Sequence, residues 1–231
     1  MGGAILDLFP LFNSLRIAAI STVATFFFGI LCAWYACKLP RLLKGLLDVV
    51  LTLPLVLPPT VIGFFLLAAL GPYGPVGALT ARLFGARLVM TWYSAIFASA
   101  AVSFPLMYRT SRGAFESFDR TLGYAAATLG HSGTYTFWRV VMPYCRRGVV
   151  AGTILAFARA IGEYGATSMV AGFTPGRTAT ISTTVYQLWR TGDDALAYKW
   201  VGINILLSLV VLVALNLFEG GRRRGRRSAS H

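Results

Sequence analysis

The chain has 231 residues, of which 56% are hydrophobic and only 13% are charged. A water-soluble domain carries about a quarter charged residues, so this composition excludes an ordinary soluble enzyme or binding module. The formal net charge is +13. Most basic residues lie in polar stretches between apolar runs or in the C-terminal tail, which argues against a nucleic-acid-binding protein and for a membrane surface.

Long apolar runs dominate the chain. Crossing the hydrocarbon core of a bilayer takes about 20 residues in a helix. Five stretches are long enough, at residues 15–35, 46–70, 89–108, 149–170 and 201–218. The rest consists of connections, a Gly/Pro-rich loop at 71–88, a polar loop at 109–147 and a segment at 171–199, in which a short surface helix is expected around 182–189. The sequence predicts one all-α integral membrane domain over 1–231, with about five transmembrane helices.

Charge asymmetry predicts the orientation of these spans. The loop 109–147 carries six arginines, and the tail 219–231 contains the run RRRGRR. Because basic residues accumulate on the cytoplasmic side, this loop and the C-terminal tail are expected inside and the N-terminus outside. The first span lacks a basic segment before it and a cleavage site after it, so it is expected to be retained.

The second apolar stretch contains Pro54, Pro58 and Pro59. Proline removes a backbone donor and clashes with the preceding turn, so this helix is expected to be kinked or broken. Broken backbone at membrane depth is tolerated where protein or a water-filled cavity covers it. A packing kink and a wall of a transport path fit this segment equally well.

The fourth stretch contains the charged residues Arg159 and Glu163, four positions apart and hence expected on one helical face. Charges at membrane depth are costly and usually face a partner or water. They are either a self-neutralised pair that packs the bundle or part of a hydrated path. We favour the path, which makes both residues, with the three prolines, candidate path residues.

The polar loop contains two predicted short helices. Asp119 is expected to cap a helix over 121–129, and Gly130 to end it. Ser132 or Thr134 would cap a second helix over 137–142, whose continuation Pro143 would limit. The expected product is a pair of helices at an angle, with a tight corner at Gly130. An ordinary amphipathic interfacial loop is the alternative.

Residue spacing in this loop resembles the EAA loop of ABC-importer permeases. The family pattern is Glu-Ala-Ala, three residues, Gly, nine residues, Ile, one residue, Leu and Pro. The matching residues here are Tyr124, Ala125, Ala126, Gly130, Val140, Met142 and Pro143. Val140 and Met142 replace Ile and Leu conservatively, whereas Tyr124 stands in place of Glu. In the family this loop is a cytoplasmic coupling element seated in a groove of an ATPase.

Further motifs resemble the molybdate-importer branch of that family. LTLPLVLPPTVIGFFLL, SFPLMYR, AATLG, FWRVVMP and LAFARAIGEYGAT occur in the family's order within residues 12–218. The resemblance implies a permease subunit of an ATP-driven molybdate importer in a bacterial inner membrane. It also implies a homodimer, cytoplasmic ATPase subunits and an extracytoplasmic binding protein. Tungstate and sulfate or thiosulfate are alternative substrates.

The sequence contains few residues that could form a nucleotide-binding, catalytic or metal-binding site. No Gly-Lys pair occurs, so a phosphate-binding P-loop is excluded. The two histidines, His131 and His231, form no catalytic or metal-binding pattern with the three cysteines. We expect no enzyme, no metal and no cofactor bound by this chain, with ATP used by the partner. An ATP-independent secondary transporter or channel is the main rival, although no inverted repeat is evident.

Overall fold

A computed structural model of the chain describes residues 7–227, with side chains up to Leu217. Over these residues the chain is helical. The helices are α1 Phe9–Ala36, α2 Arg41–Thr52, α3 Pro59–Leu70, α4 Pro75–Phe84, α5 Ser94–Glu116, α6 Arg120–Thr128, α7 Gly133–Thr136, α8 Met142–Ile161, α9 Gly165–Val170, α10 Ile181–Thr191 and α11 Asp194–Arg227. The predicted tail 219–231 therefore begins inside α11, and its last four residues, including His231, lie outside the described residues.

Three segments are long and apolar enough to cross a membrane unaided: Phe9–Ala36, Gly133–Ile161 and Asp194–Leu217. A fourth arises if Arg41–Leu55 and Pro59–Leu70 cross as one bent span. These four overlap the first, second, fourth and fifth predicted stretches, whereas α5 over the third stretch is less apolar. The structure thus establishes a multi-pass helical protein, and the count of five spans stays a prediction.

The centre of the bundle is formed by α1, α5 and α8. Small residues let these helices approach closely. A Cβ on Gly29 of α1 would come 2.8 Å from Cγ of Met107, and one on Gly148 of α8 would come 2.6 Å from Cβ of Ala114. Because α5 lies in the middle, its serines are buried. For example, Ser103 donates to the carbonyl of Ser99 at 2.7 Å.

The prediction that residues 71–88 form a loop is wrong, because they contain α4. Pro75 opens this helix, where its missing N–H is not needed, and Gly85 ends it with a φ of +64°. A Cβ on Gly77 would come 2.0 Å from the carbonyl oxygen of Gly71. Glycine at this position therefore allows α4 to fold back onto the end of α3.

The helix expected around 182–189 is confirmed as α10, although its start is buried and only its second half is at the surface. Thr180 and Thr183 form a capping box at its start. The Asn13 side-chain amide donates to the carbonyl of Ala179, and the N–H of Ile181 donates to Oγ of Ser14, both at 2.9 Å. These bonds tie the start of α10 to the start of α1.

Candidate coupling element and transport path

The helix α6 begins as the sequence predicts. Oδ1 of Asp119 accepts a hydrogen bond from the N–H of Thr121 at 2.9 Å and caps the helix. This backbone bond, with a further contribution from the Thr121 hydroxyl, lowers the pKa of Asp119 below its ordinary value. The carboxylate therefore stays charged at neutral pH, next to the positive end of the helix dipole.

Gly130 forms the tight corner that the spacing predicts. Its φ is +80°, and its N–H donates to the carbonyl of Ala127 at 3.0 Å. The N–H of His131 donates to the carbonyl of Ala126 at 3.1 Å. These two bonds complete a Schellman motif. No atom lies within 4 Å of a Cβ built on Gly130, so glycine is required by the backbone and not by space.

The second helix of the loop is not short. Oγ of Ser132 accepts from the N–H of Tyr135 at 3.3 Å and caps α7. The chain then passes through a π-helical turn, Phe137–Val141, directly into α8. The prediction that Pro143 limits this helix is wrong, because the helix continues from the π-helical turn through Pro143 to Ile161. The corner is thus joined rigidly to a candidate span.

The seven loop candidates do not share one surface. Tyr124 and Leu129 of the corner are 68% and 76% exposed, while Ala126 is buried. Ala125 is also exposed, whereas Val140 and Met142 are half-buried in and after the π turn, and Pro143 is exposed at the start of α8. A docking partner can therefore reach Tyr124, Ala125 and Gly130, whereas Val140 and Met142 are only partly accessible.

The predicted break in the second span is confirmed. A 3₁₀ turn at Leu53–Leu55 ends the first half, Pro58 stands before the second half and Pro59 is its first residue. The two halves meet at an angle of 103°. Pro54 lies on the other side of the bend from Pro59, in a turn that packs against α5.

The fourth span is also broken, which the sequence analysis missed. The helix α8 ends at Ile161, and α9 begins at Gly165. Glu163 therefore does not share a helical face with Arg159, contrary to the prediction. The two side chains pair across the break, with Nη1 of Arg159 2.6 Å from Oε2 of Glu163.

Glu163 connects the two sides of this break. Its Oε1 accepts from the N–H of Ala166 in α9 at 2.7 Å, while Oε2 accepts from Arg159 in α8. The Glu163 side chain is 1% exposed and that of Arg159 is 30% exposed. The buried carboxylate is thus fully hydrogen-bonded, and the arginine retains an accessible edge.

The two breaks lie against each other. A Cβ on Gly165 would come 3.0 Å from Cβ of Pro59, and one on Gly63 would come 2.8 Å from Cα of Ala166. The start of α3 and the start of α9 are therefore neighbours. This contact brings Pro59 and the segment that carries Glu163 to one place, and it leaves Pro54 outside.

A charged cluster joins α2 to α5, and sequence reasoning missed it. Lys44 pairs with Glu116, and Arg112 pairs with Asp48. Nε of Arg112 also lies 3.5 Å from Oε1 of Glu116, and the Tyr108 hydroxyl donates to Asp48. Its sequence signal is polar residues at positions 108, 112 and 116, which share one face of α5.

The described residues thus form a helical protein with two broken spans in contact and an exposed helical corner between spans. Its fold superposes on a chain of the MetNI methionine ABC transporter with a TM-score of 0.70, 13% identity and coverage of 91% of this chain and 94% of that chain. It also superposes on a chain of a bacterial alginate ABC transporter in complex with an alginate pentasaccharide-bound periplasmic protein. Here the TM-score is 0.71 and the identity is 18%, with coverage of 90% of this chain and 76% of that chain.

Residues 25–224 match the family described as "Binding-protein-dependent transport system inner membrane component", and the chain belongs to this family. It is 39% identical over 203 residues to the molybdenum transport system permease protein ModB of Escherichia coli (strain K12), across 87% of this chain and 88% of that protein. It is 35% identical to ModB of Azotobacter vinelandii, across 90% of this chain and 92% of that protein. A protein of Chlorokybus atmophyticus described as "Probable sulfate transport system permease protein cysT" is 31% identical, across 90% of this chain and 70% of that protein.

Proposed function

We propose that the chain is the membrane-spanning permease subunit of an ATP-driven importer of molybdate. The observation that carries this proposal is the similarity to molybdenum transport permeases over nearly the whole chain. The subunit works as a homodimer in a bacterial inner membrane. It has five spans, with the N-terminus outside and the corner at Gly130 in the cytoplasm.

The corner at Gly130 is the docking point for a separate ATPase subunit. Its exposed side chains, Tyr124 and Leu129, are apolar or aromatic. Because Tyr124 replaces the family's Glu, docking here rests on packing rather than on a salt bridge from this position. The stiff connection through α7 into α8 transmits movement of the ATPase to the bundle. ATP is bound by that partner, and this chain binds no cofactor or metal.

The two broken spans form the wall of the transport path. Arg159 attracts a dianion through its exposed edge, while its pairing with Glu163 limits that attraction. Weak attraction suits a path that must release its cargo. Selectivity therefore belongs to an extracytoplasmic binding protein, which can surround a tetrahedral anion with donors and pass it to the path.

ATPase and uptake assays of the reconstituted transporter test this function directly. The full complex in proteoliposomes, given binding protein and molybdate, should hydrolyse ATP faster and accumulate the anion. Tungstate should act alike because it is similar in size and charge, and sulfate in large excess should stimulate little. Uptake that continues without the ATPase or ATP would contradict the importer and favour a secondary transporter.

Sulfate is the second candidate substrate, since a protein described as a sulfate permease is also similar to this chain. ATP-dependent uptake of sulfate, with none of molybdate, would assign the chain to that substrate. The permease role and the coupling corner would then stand, and only the cargo would change.

A further inference from the structure

Two adjoining cavities lie between the end of α1 and the corner element. The first is a cleft of about 550 Å³ lined by Lys38, Lys44, Arg120 and the aromatic rings of Trp34 and Phe118, among others. The second is a groove of about 540 Å³ that runs along α1 to the start of α7 and the π turn. Both volumes are within the range of ligand-binding sites.

The groove is apolar for most of its length. Its lining includes Phe27, Leu31, Phe137 and Trp138. Phe27 and Leu31 are 62% and 51% exposed. Trp34 and Lys38 line both cavities, so the apolar groove and the basic cleft adjoin at these two residues. An occupant that fills both must be apolar along one part and polar at one end.

The positive charge of the cleft indicates that the polar end of the occupant is negatively charged. Lys44 is neutralised by Glu116. Lys38 and Arg120 make no ion pair with any acidic side chain among the described residues. The ammonium of Lys38 instead lies 4.6 Å from the centre of the Trp34 ring. The cleft therefore offers two uncompensated cations to an anionic group.

We propose that this pair of cavities binds an anionic phospholipid, with an acyl chain in the groove and the phosphate between Lys38 and Arg120. Charge complementarity selects an anionic headgroup over a zwitterionic one. Trp34 lies at the junction and Tyr35 and Trp138 line the groove, and such aromatic residues are enriched at the membrane–water interface. The proposal rests on the proposed orientation, which places this junction at the cytoplasmic leaflet.

The consequence is a lipid contact shared by α1 and the coupling element. Gly133 and Thr134 of α7 line the groove, while Arg120 and Tyr124 of α6 line the cleft. Both helices that flank the corner thus contact the same bound lipid. The lipid holds the corner at Gly130 against α1. It therefore helps to set the position in which the corner docks to the ATPase subunit.

Tryptophan quenching by phospholipid with brominated acyl chains tests the proposal. The full-length chain is placed in phosphatidylcholine vesicles that contain a small fraction of brominated phosphatidylglycerol. We expect strong quenching, and much weaker quenching when the brominated chains are carried by phosphatidylcholine instead. Replacing Trp34 and Trp138 by Phe should remove the phosphatidylglycerol-specific part. If that part persists, the lipid binds elsewhere and the proposal is wrong.

The matched variants test the cations. Lys38→Gln with Arg120→Gln should raise the phosphatidylglycerol fraction needed for half-maximal quenching by about tenfold or more, since each basic residue near the surface attracts anionic lipid. Arg82→Gln with Arg87→Gln removes the same charge from exposed positions outside both cavities and should change little. Equal effects of the two pairs would overturn the site.

Adding inorganic phosphate, or co-expressing the ATPase subunit, distinguishes a bound lipid from other occupants of the two cavities. Inorganic phosphate in excess should not displace the brominated lipid, because phosphate lacks the acyl chain; displacement would show a plain anion site. A co-expressed ATPase subunit should also leave quenching unchanged, and loss of quenching would assign the cavities to that protein. Either loss, with ATP-dependent uptake intact, overturns the lipid site and leaves the proposed function standing.

Discussion

Gly63 of α3 and Ala166 of α9 are in direct backbone contact, so that a Cβ on Gly63 would come 2.8 Å from Cα of Ala166. The two residues lie near the starts of two helices, each of which follows a break in a membrane-embedded stretch. Close approach of small residues is a main source of helix association in lipid. The contact between the two broken spans therefore depends on the absence of a side chain at this position.

Gly63→Ala should lower the thermal midpoint of the detergent-purified chain, because overpacking costs about 1–3 kcal/mol. Gly45→Ala is the matched control, since nothing lies within 4 Å of a Cβ at Gly45 in α2. Alanine favours a helix over glycine by about 1 kcal/mol, so the control should be neutral or more stable. The measurement is the temperature at which the monodisperse chromatography peak is lost. Equal midpoints for both variants would disprove the contact.

Arg159 and Glu163 should behave as a coupled pair. Glu163→Gln leaves Arg159 without its counter-ion, and Arg159→Met leaves a buried carboxylate; each should cost roughly 3 kcal/mol, at the lower end for a buried pair because Arg159 is partly exposed. The double variant should be less harmful than the sum of the two. Folded yield and thermal midpoint across the four proteins measure the coupling. Additive losses would show that the two side chains act independently.

Gly130→Ala should weaken recovery of the ATPase with the chain, since a left-handed residue with a Cβ costs about 1–2 kcal/mol. Gly113→Ala is the control, as Gly113 lies inside α5 with nothing within 4 Å of its Cβ. Both variants should reach the membrane in normal amounts. Normal ATPase recovery and uptake in Gly130→Ala would show that the corner is not needed for docking.

The Asp119 cap should tolerate Asn and fail with Ala, because Asn retains the acceptor oxygen. Hydrogen exchange of the amides in α6 should quicken in Asp119→Ala and stay near normal in Asp119→Asn. Since the pKa of Asp119 is lowered in the folded chain, the charged cap is fully present above its ordinary value of 3.8. Its contribution is lost as the pH falls through the lowered value. Equal exchange in the two variants would rule out the cap.

Orientation is tested by single cysteines at two exposed positions. Thr191→Cys, at the end of α10, should react with a membrane-impermeant thiol reagent in intact cells. Thr128→Cys, at the end of α6, should react only after the membrane is opened. The parent chain carries Cys32, Cys37 and Cys145 replaced by Ala or Ser, so that the introduced thiol is the only reporter. The opposite labelling pattern would invert the proposed topology.

Local signals in the sequence were sufficient wherever a single residue type decides the backbone. Asp119 before an Ala-rich run and Gly130 after it predicted both ends of α6, and the three prolines predicted the break in the second span. Proline's meaning depends on position, however. Proline after a short helix predicts a stop at Pro143. In the structure the preceding π-helical turn and α8 are continuous.

Tertiary contacts decided what spacing alone could not. The spacing of four residues predicts one helical face for Arg159 and Glu163, and the two side chains do pair. Yet α8 stops between them, and a new helix, α9, starts at Gly165, which packs onto Pro59. Similarly, the Gly/Pro content of residues 71–88 favoured a loop. Close packing of Gly77 on the end of α3 instead stabilises α4.

The cluster of Lys44, Asp48 and Arg112 fastens the first half of the bent span to α5, while Gly63 and Ala166 fasten its second half to α9. A change in the 103° angle between the halves must therefore either rupture one of these attachments or be absorbed by the few residues between Leu55 and Pro59. Proline at positions 58 and 59 fixes two of those φ angles. The bend thus links α2, held by the charged cluster, to α9, held at Gly63, through a short segment with two fixed φ angles.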